Sequence, residues 1–347
     1  MIVPTTHTIA LLLAILTMIA WGSWANTYKL SGKWRFELFY YDYSFGVVLL
    51  AVAAAFTLGS MGNELSFTDN FLIAGKFKMA LGVCSGFAVN LACILLVAAV
   101  SVAGLSVAFP ISFGVALAVS VVWQQVETPF GDKALWIGGL ALLVVAVALD
   151  AVAWAIDAPR HKPAFEDAPT GRGVKRIRHR RLTGTKGIVL SVASGALLGI
   201  FFPITAWAQA GDNGLGAYSL MILLAGGFIV STFIYNVYFL NLPVQGPSLG
   251  MSDYFRGTKK QHLLGLLGGA TWGAGALMYL VVESLPRHAQ PGELGMGLLQ
   301  AAPLLSALWG LLAWKEFKGA SAASKGLVAA TLVIFAAGLV LLRWGLE

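Results

Sequence analysis

Runs of about 20 or more apolar residues recur along this chain and constrain its fold more than any other feature. A helix of that length can cross roughly 30 Å of hydrocarbon, whereas a soluble domain carries its apolar residues on periodic faces. The composition agrees, since 58% of the residues are hydrophobic and 11% are charged, against about 25% charged in soluble domains. The sequence therefore predicts an all-α, polytopic membrane protein.

Charges and Gly/Pro clusters divide the apolar sequence into ten predicted transmembrane helices. Their approximate bounds are 8–28, 38–59, 79–100, 105–124, 134–156, 187–209, 217–239, 262–283, 295–314 and 325–345. The first helix follows an N-terminus without a basic region, which favours a membrane span over a cleaved signal peptide. A basic segment, 157–186, separates a first membrane repeat, 1–156, from a second, 187–347. Each repeat has five helices, so two copies of one fold must insert with opposite orientation, as a 5+5 inverted repeat.

The distribution of Lys and Arg predicts the orientation. The 157–186 segment holds nine of the 23 basic residues. Placing it in the cytoplasm puts 18 basic residues on that side and five on the other, which predicts a cell (inner) membrane protein with both termini outside. We interpret the segment as a solvated loop beside anionic membrane lipid, and not as a nucleic-acid site.

Short motifs repeat in the two halves in the same order. Gly82–Gly86 in the third predicted helix and Gly269–Gly273 in the eighth are both GxxxG motifs. Pro110 follows Gly104 by six residues in the fourth helix, and Pro303 follows Gly297 by six in the ninth. Small residues at this spacing let helix backbones approach closely in lipid. The matched motifs favour an inverted repeat.

Inverted five-helix repeats place a binding site near the bilayer midplane and transport by alternating access. The architecture therefore predicts a secondary carrier and not an enzyme. The sequence has no GxxxxGK[ST] phosphate loop, so no nucleotide or other cofactor is expected. Expected partners are a small polar solute, protons and membrane lipid, and the sequence leaves a homodimer open.

Two sets of short motifs resemble known transporter families. One set is similar to the plant ureide permeases and comprises Trp21, Tyr41-Asp42-Tyr43-Ser44, Phe56-Thr57-Leu58-Gly59 and Gly104-Leu105-Ser106-Val107. The other is similar to the bacterial rhamnose–proton symporter and glucose/ribose porter families and comprises the same Gly104 segment, Lys186-Gly187-Ile188-Val189-Leu190 and Trp272-Gly273-Ala274-Gly275. All of these families belong to the drug/metabolite transporter superfamily.

The resemblance implies a ten-helix carrier that couples uptake of a sugar, ureide or nucleobase to protons. Ureide permeases also carry a large cytosolic segment between their fifth and sixth helices. The segment here is shorter and lacks their phosphate-loop-like motif, so the resemblance implies nothing about regulation through it.

Two acidic residues, Asp42 and Asp150, are predicted to lie within the hydrocarbon. An ionisable side chain there is costly, so each is a candidate for proton coupling. The alternative for Asp42 is an interfacial acid near a helix N-terminus, paired with Lys29 or Lys33. Asp150 has the same two interpretations. Every His falls in a terminus, a loop or a helix end, which argues against a His proton relay.

Candidate solute-binding residues combine aromatic rings with amides and hydroxyls, a combination that suits sugars and flat heterocycles. They are Trp272, Trp21, Trp24, Asn26, Asn90, Ser112, Thr271 and Gln300. Each aromatic residue could instead pack in the core, and Ser or Thr in a membrane helix can bond to its own backbone. Cys84 and Cys93 are interpreted as small core residues.

Three other functions are weighed against uptake. An efflux carrier for lipophilic cations would place an acid deep in the first helix, and the sequence has none there. A membrane enzyme would cluster His, acids or Arg at one membrane face. A scaffold or receptor has no need of two matched repeats.

Overall fold

The computed structural model describes residues 1–4, 6–62, 65–129, 131–157 and 173–346, with the backbone alone at 173–184, 287, 293 and 294. Regular structure in these ranges is helical: α1 His7–Ser23, α2 Ala25–Leu30, α3 Phe36–Phe56, α4 Phe67–Ile73, α5 Lys76–Ala103, α6 Leu105–Glu127, α7 Lys133–Asp157, α8 Gly173–Gln209, α9 Ala217–Asn241, α10 Met251–Tyr254, α11 Lys259–Glu283, α12 Gly292–Leu299, α13 Ala302–Leu308 and α14 Ala322–Gly345. Half of the predicted basic loop, 158–172, lies outside the described residues, and α8 begins in the remainder, at Gly173.

Nine helical segments in the described ranges are long and apolar enough to cross a membrane. They are His7–Leu30, Phe36–Phe56, Lys76–Ala103, Leu105–Glu127, Lys133–Asp157, Thr185–Gln209, Ala217–Asn241, Lys259–Glu283 and Ala322–Gly345. Each matches one of the predicted spans to within a few residues. The chain is therefore a polytopic, all-helical integral membrane protein.

The predicted helix at 295–314 is wrong as a single helix. The structure has α12, a break at Gln300 and Ala301, α13, and then one π-helical turn, Trp309–Ala313. Pro303 stands in the first turn of α13, where its missing N–H is tolerated, but it could not donate inside a longer helix. Glycines at three positions of α12 weaken the helix before the break.

Connections between the helices gather in two groups. The first, here called the terminal end, comprises residues 1–4, 57–62, 128–129, 210–216 and 284–291. Within it, the N–H of Ile2 donates to Leu58 O, and the N–H of Gly75, which precedes α5, donates to Asn213 O. His7 Nδ1 lies 2.7 Å from the carbonyl oxygen of Gln290.

The second group, here called the loop end, comprises residues 31–35, 242–258 and 314–321. Arg35 donates to the carbonyl oxygen of Pro247 at 2.6 Å, and Lys29 forms an ion pair with Glu316 at 2.7 Å. The broken segment 292–313 begins beside the terminal end, just after Gln290. It finishes beside the loop end, three residues before Glu316.

Glycines set the closest helix contacts, as the GxxxG spacing predicts. A methyl group at Gly86 would overlap the backbone of Leu224 in α9, so α5 and α9 touch without a side chain between them. A methyl group at Gly269 would overlap the carbonyl of Tyr43, so α11 and α3 are in contact in the same way. These close approaches position α5 and α11, two of the helices that line the candidate site.

Candidate solute and proton sites

A small cavity lies where α1, α5, α6, α8 and α11 meet. Its volume is about 10 Å³, which is room for about one water molecule. The residues that line it are Trp21, Trp24, Ala92, Cys93, Leu96, Phe113, Ser194, Leu198, Phe201 and Trp272. The cavity is therefore bounded by helices of both predicted repeats, and in this conformation it is too small for a sugar or a ureide.

Three predicted site residues, Trp21, Trp24 and Trp272, come together at this cavity. The indole N–H of Trp21 donates to the carbonyl oxygen of Trp272 at 3.3 Å. The Trp24 ring packs against Tyr43, with centroids 5.0 Å apart, and the Trp272 ring packs against Phe228 at 5.5 Å. The rings are thus fixed by neighbouring aromatic residues, with little freedom to reorient.

The cavity wall carries no charged side chain. The lining residues with polar side-chain groups are Ser194, Cys93 and the three tryptophans. The Ser194 hydroxyl donates to the carbonyl oxygen of Ala92, and the indole N–H groups of Trp24 and Trp272 have no hydrogen-bond partner among the described residues. Cys93, interpreted from sequence as a core residue, is buried and also lines the cavity.

Asn90 lies one turn before Cys93 but does not line the cavity. Its amide nitrogen donates to Phe228 O, Ser231 Oγ and Thr232 Oγ1 at 3.0, 2.7 and 3.1 Å. Its amide oxygen accepts from the Tyr40 hydroxyl at 2.8 Å. Asn90 is fully buried, and these bonds use its hydrogen-bonding capacity to join α3, α5 and α9.

The other four predicted solute contacts are also not brought to the cavity. Asn26 accepts from the indole N–H of Trp314 at 2.7 Å, near the loop end. Ser112 donates to the carbonyl oxygen of Ser191, joining α6 to α8, and Thr271 donates to Leu267 O within its own helix. Gln300 lies at the break after α12. Their sequence positions gave depth but not the direction in which each side chain points.

Asp42 lies in a cluster at the loop end. Its Oδ1 accepts from the Tyr254 hydroxyl at 2.6 Å, and its Oδ2 lies 2.8 Å from Nδ1 of His262. The Asp42 side chain is 6% exposed and that of His262 is 27% exposed. Neither partner was predicted from the sequence, because His262 lies at a helix end and was taken to be remote from the buried acid.

Asp150 has a different environment. It is fully buried in α7, and neither of its carboxyl oxygens has a hydrogen-bond partner among the described residues. Glu316 is close enough to act on it electrostatically. Burying a charged carboxylate without partners is energetically costly, so Asp150 remains a candidate for proton coupling.

Lys29, proposed from sequence as a partner of Asp42, instead pairs with Glu316. Both oxygens of Glu316 bind the first turn of α6: the N–H groups of Leu105 and Ser106 donate at 2.9 Å, and the Ser106 hydroxyl donates at 2.5 Å. Burial raises the pKa of Glu316, but the charge of Lys29 and these hydrogen bonds outweigh it and bring the pKa below its ordinary value. Glu316 therefore joins the connection before α14 to the first turn of α6 at the loop end.

Comparison with protein-family models gave no match, and comparison with curated proteins gave none either. One solved structure, described only as a "Crystal structure of protein", is similar over 98% of this chain and 99% of its own. Its TM-score is 0.56 and its sequence identity is 16%. At that identity the similarity shows a shared fold alone.

Proposed function

We propose that the chain is a secondary active transporter that takes up a small polar solute, a sugar, a ureide or a nucleobase, by alternating access coupled to protons. The observation that carries the proposal is the cavity lined by Trp21, Trp24 and Trp272, between helices of both repeats. Aromatic faces with a few fixed donors are typical of sites for small organic ligands. With room for about one water, the cavity is closed in this conformation.

The proposed architecture is ten crossings in a 5+5 inverted repeat. The broken segment 292–313 supplies the tenth crossing, since its two ends lie at opposite ends of the bundle. Discontinuous helices are common in carriers of this type, where unwound backbone faces a cavity.

The helix contacts support the repeat. The third predicted helix packs on the seventh through Gly86, and the eighth packs on the second through Gly269. Exchanging the two repeats converts one contact into the other, as an inverted repeat requires. The same exchange relates the first and sixth helices, which pack on the ninth through Gly22 and on the fourth through Gly195.

Asp42 and Asp150 are the proposed proton-coupling residues. Asp42 has hydrogen-bonded partners and a route to solvent at the loop end, whereas Asp150 is sealed in the packing of α7. In an alternating-access cycle one acid takes up a proton on one side of the membrane and releases it on the other. Following the distribution of basic residues, we place the loop end in the cytoplasm and both termini outside.

The test is uptake of radiolabelled sugars, ureides and nucleobases by purified protein in liposomes, with and without an imposed pH gradient. We expect saturable uptake of one class and accumulation above equilibrium only with the gradient. Trp272→Ala should abolish uptake, while Trp344→Ala, a change at a tryptophan that is 57% exposed, should not. Absence of saturable uptake across the panel would contradict the proposal.

A further inference from the structure

We propose that His262 passes protons between the solvent at the loop end and the carboxyl group of Asp42, so that Asp42, His262 and Tyr254 form one proton-exchange site. The inference rests on the proposed coupling role of Asp42 and adds to it the residue that connects this acid to water. It starts from the 2.8 Å contact between His262 Nδ1 and Asp42 Oδ2.

The two side chains differ in their access to solvent. The Asp42 side chain is 6% exposed and has little direct contact with bulk water, whereas His262, in the first turn of α11, is 27% exposed. Nε2 of His262 has no hydrogen-bond partner among the described residues and faces Gly257, where a methyl group would come within 2.7 Å of it. Nδ1 of the ring therefore contacts the buried Asp42 carboxyl, and Nε2 lies beside Gly257, which has no side chain to cover it.

Aromatic contacts hold the imidazole in place. Its ring lies edge-on to Trp34, with centroids 4.6 Å apart, and edge-on to Tyr254 at 4.8 Å. Trp34 is itself buried. Since the ring cannot turn away without breaking both contacts, Nδ1 stays on Asp42.

The ionisable groups that face Asp42 are Tyr254 from α10 and His262 from α11. Burial, followed by the hydrogen bond to Asp42 and the charge of that acid, raises the pKa of Tyr254 well above its ordinary value. The phenol therefore remains a donor to Oδ1 and leaves Oδ2 for exchange. The nearby charges of Arg256 and Asp253 pair with each other on the surface.

Proton transfer from water to Asp42 through His262 takes two steps. A proton from water binds Nε2 of the neutral imidazole, and the proton on Nδ1 moves to Oδ2 of the Asp42 carboxylate. The imidazole is neutral again, with its proton on Nε2, and Asp42 has gained one proton. Release to water is the reverse sequence. Histidine suits the role because each of its two ring nitrogens can bind or release a proton.

Time-resolved infrared spectroscopy of the full chain in lipid nanodiscs tests the proposal without a solute. Light releases protons from a caged proton compound, and the carbonyl band of the protonated carboxyl group is followed in time. The band is assigned to Asp42 if it is lost in Asp42→Asn. We expect His262→Ala and His262→Asn to slow the rise of this band about tenfold or more. Added imidazole should restore the rate in His262→Ala, which a merely structural role would not produce.

His288→Ala provides the matched control, since this exposed histidine lies at the terminal end and should leave the rate unchanged. Three results would overturn the proposal. The first is a wild-type rate in both His262 variants, the second is a slowed rate in His262→Ala that added imidazole does not restore, and the third is the absence of an Asp42 band at any pH. If no solute is taken up in liposomes but the Asp42 band rises at the expected rates, the transport function is contradicted and the proton-exchange site is not. The two proposals can therefore be distinguished.

Discussion

The indole N–H of Trp21 donates to the carbonyl oxygen of Trp272 at 3.3 Å, and both residues line the central cavity. The bond joins α1 to α11, the first and eighth predicted helices. On another wall, Ser194 donates to the carbonyl oxygen of Ala92 at 2.8 Å and joins the sixth helix to the third. In the proposed inverted repeat, exchange of the two halves relates these two bonds, so the proposal accounts for both contacts at the cavity.

Two substitutions of Trp24 distinguish the contribution of ring contact from that of hydrogen bonding at the proposed solute site. Trp24→Phe keeps an aromatic face beside Tyr43 but loses the free indole N–H, whereas Trp24→Ala loses both. We expect Trp24→Ala to abolish uptake in liposomes and Trp24→Phe to raise KM roughly three- to tenfold, the value of one neutral hydrogen bond, with little change in kcat. Trp344→Phe is the control, and a Trp24→Ala protein with wild-type uptake would contradict the assignment.

Adjacent glycines in α9 test the helix packing. A methyl group at Gly227 would overlap the carbonyl of Val83 in α5, whereas one at Gly226 meets no atom within 4 Å. Gly227→Ala should lower the free energy of unfolding by about 1–3 kcal/mol. Gly226→Ala should leave it unchanged or raise it by up to about 1 kcal/mol, because alanine favours the helix. Thermal unfolding in detergent measures both, and equal effects of the two changes would be inconsistent with this packing.

The contact between Glu316 and α6 predicts a pH dependence of stability. The pKa of Glu316 is lowered in the folded protein, so its contribution is present above its ordinary pKa and is lost as pH falls through the folded value. Glu316→Gln should be less stable than wild type at neutral pH by roughly 1–3 kcal/mol. The difference should shrink in acid, where wild-type Glu316 is also neutral.

Unfolding in detergent across acidic and neutral pH measures this effect. Asp253→Asn is the matched control, because its surface pair with Arg256 is worth at most about 1 kcal/mol. A Glu316→Gln difference that is the same at every pH would show that charge is not the cause.

Nine of the ten helices predicted from hydropathy are present in the described residues, because length and apolarity alone decide whether a segment can span lipid. Hydropathy did not predict the break at Gln300, since the Gly and Pro residues that cause it also occur in continuous membrane helices such as α6, which contains Pro110. Trp272 was among the residues predicted from sequence to bind solute, and it lines the cavity. The Asp42–His262 contact was not predicted, because it joins positions 220 residues apart, and sequence shows no side-chain direction.

The proposed tenth crossing predicts on which side of the membrane each connection is accessible. In a chain with Cys84 and Cys93 replaced by serine, single cysteines at exposed His288 and Lys318 flank the broken segment. Because 292–313 runs from the terminal end to the loop end, an impermeant maleimide should label His288→Cys from outside intact cells and Lys318→Cys only after permeabilisation. Asp212→Cys and Ser252→Cys mark the same two sides independently of this segment, since they lie at the terminal and loop ends respectively. Labelling of both flanking cysteines from one side would leave nine crossings and would remove the basis for equal repeats.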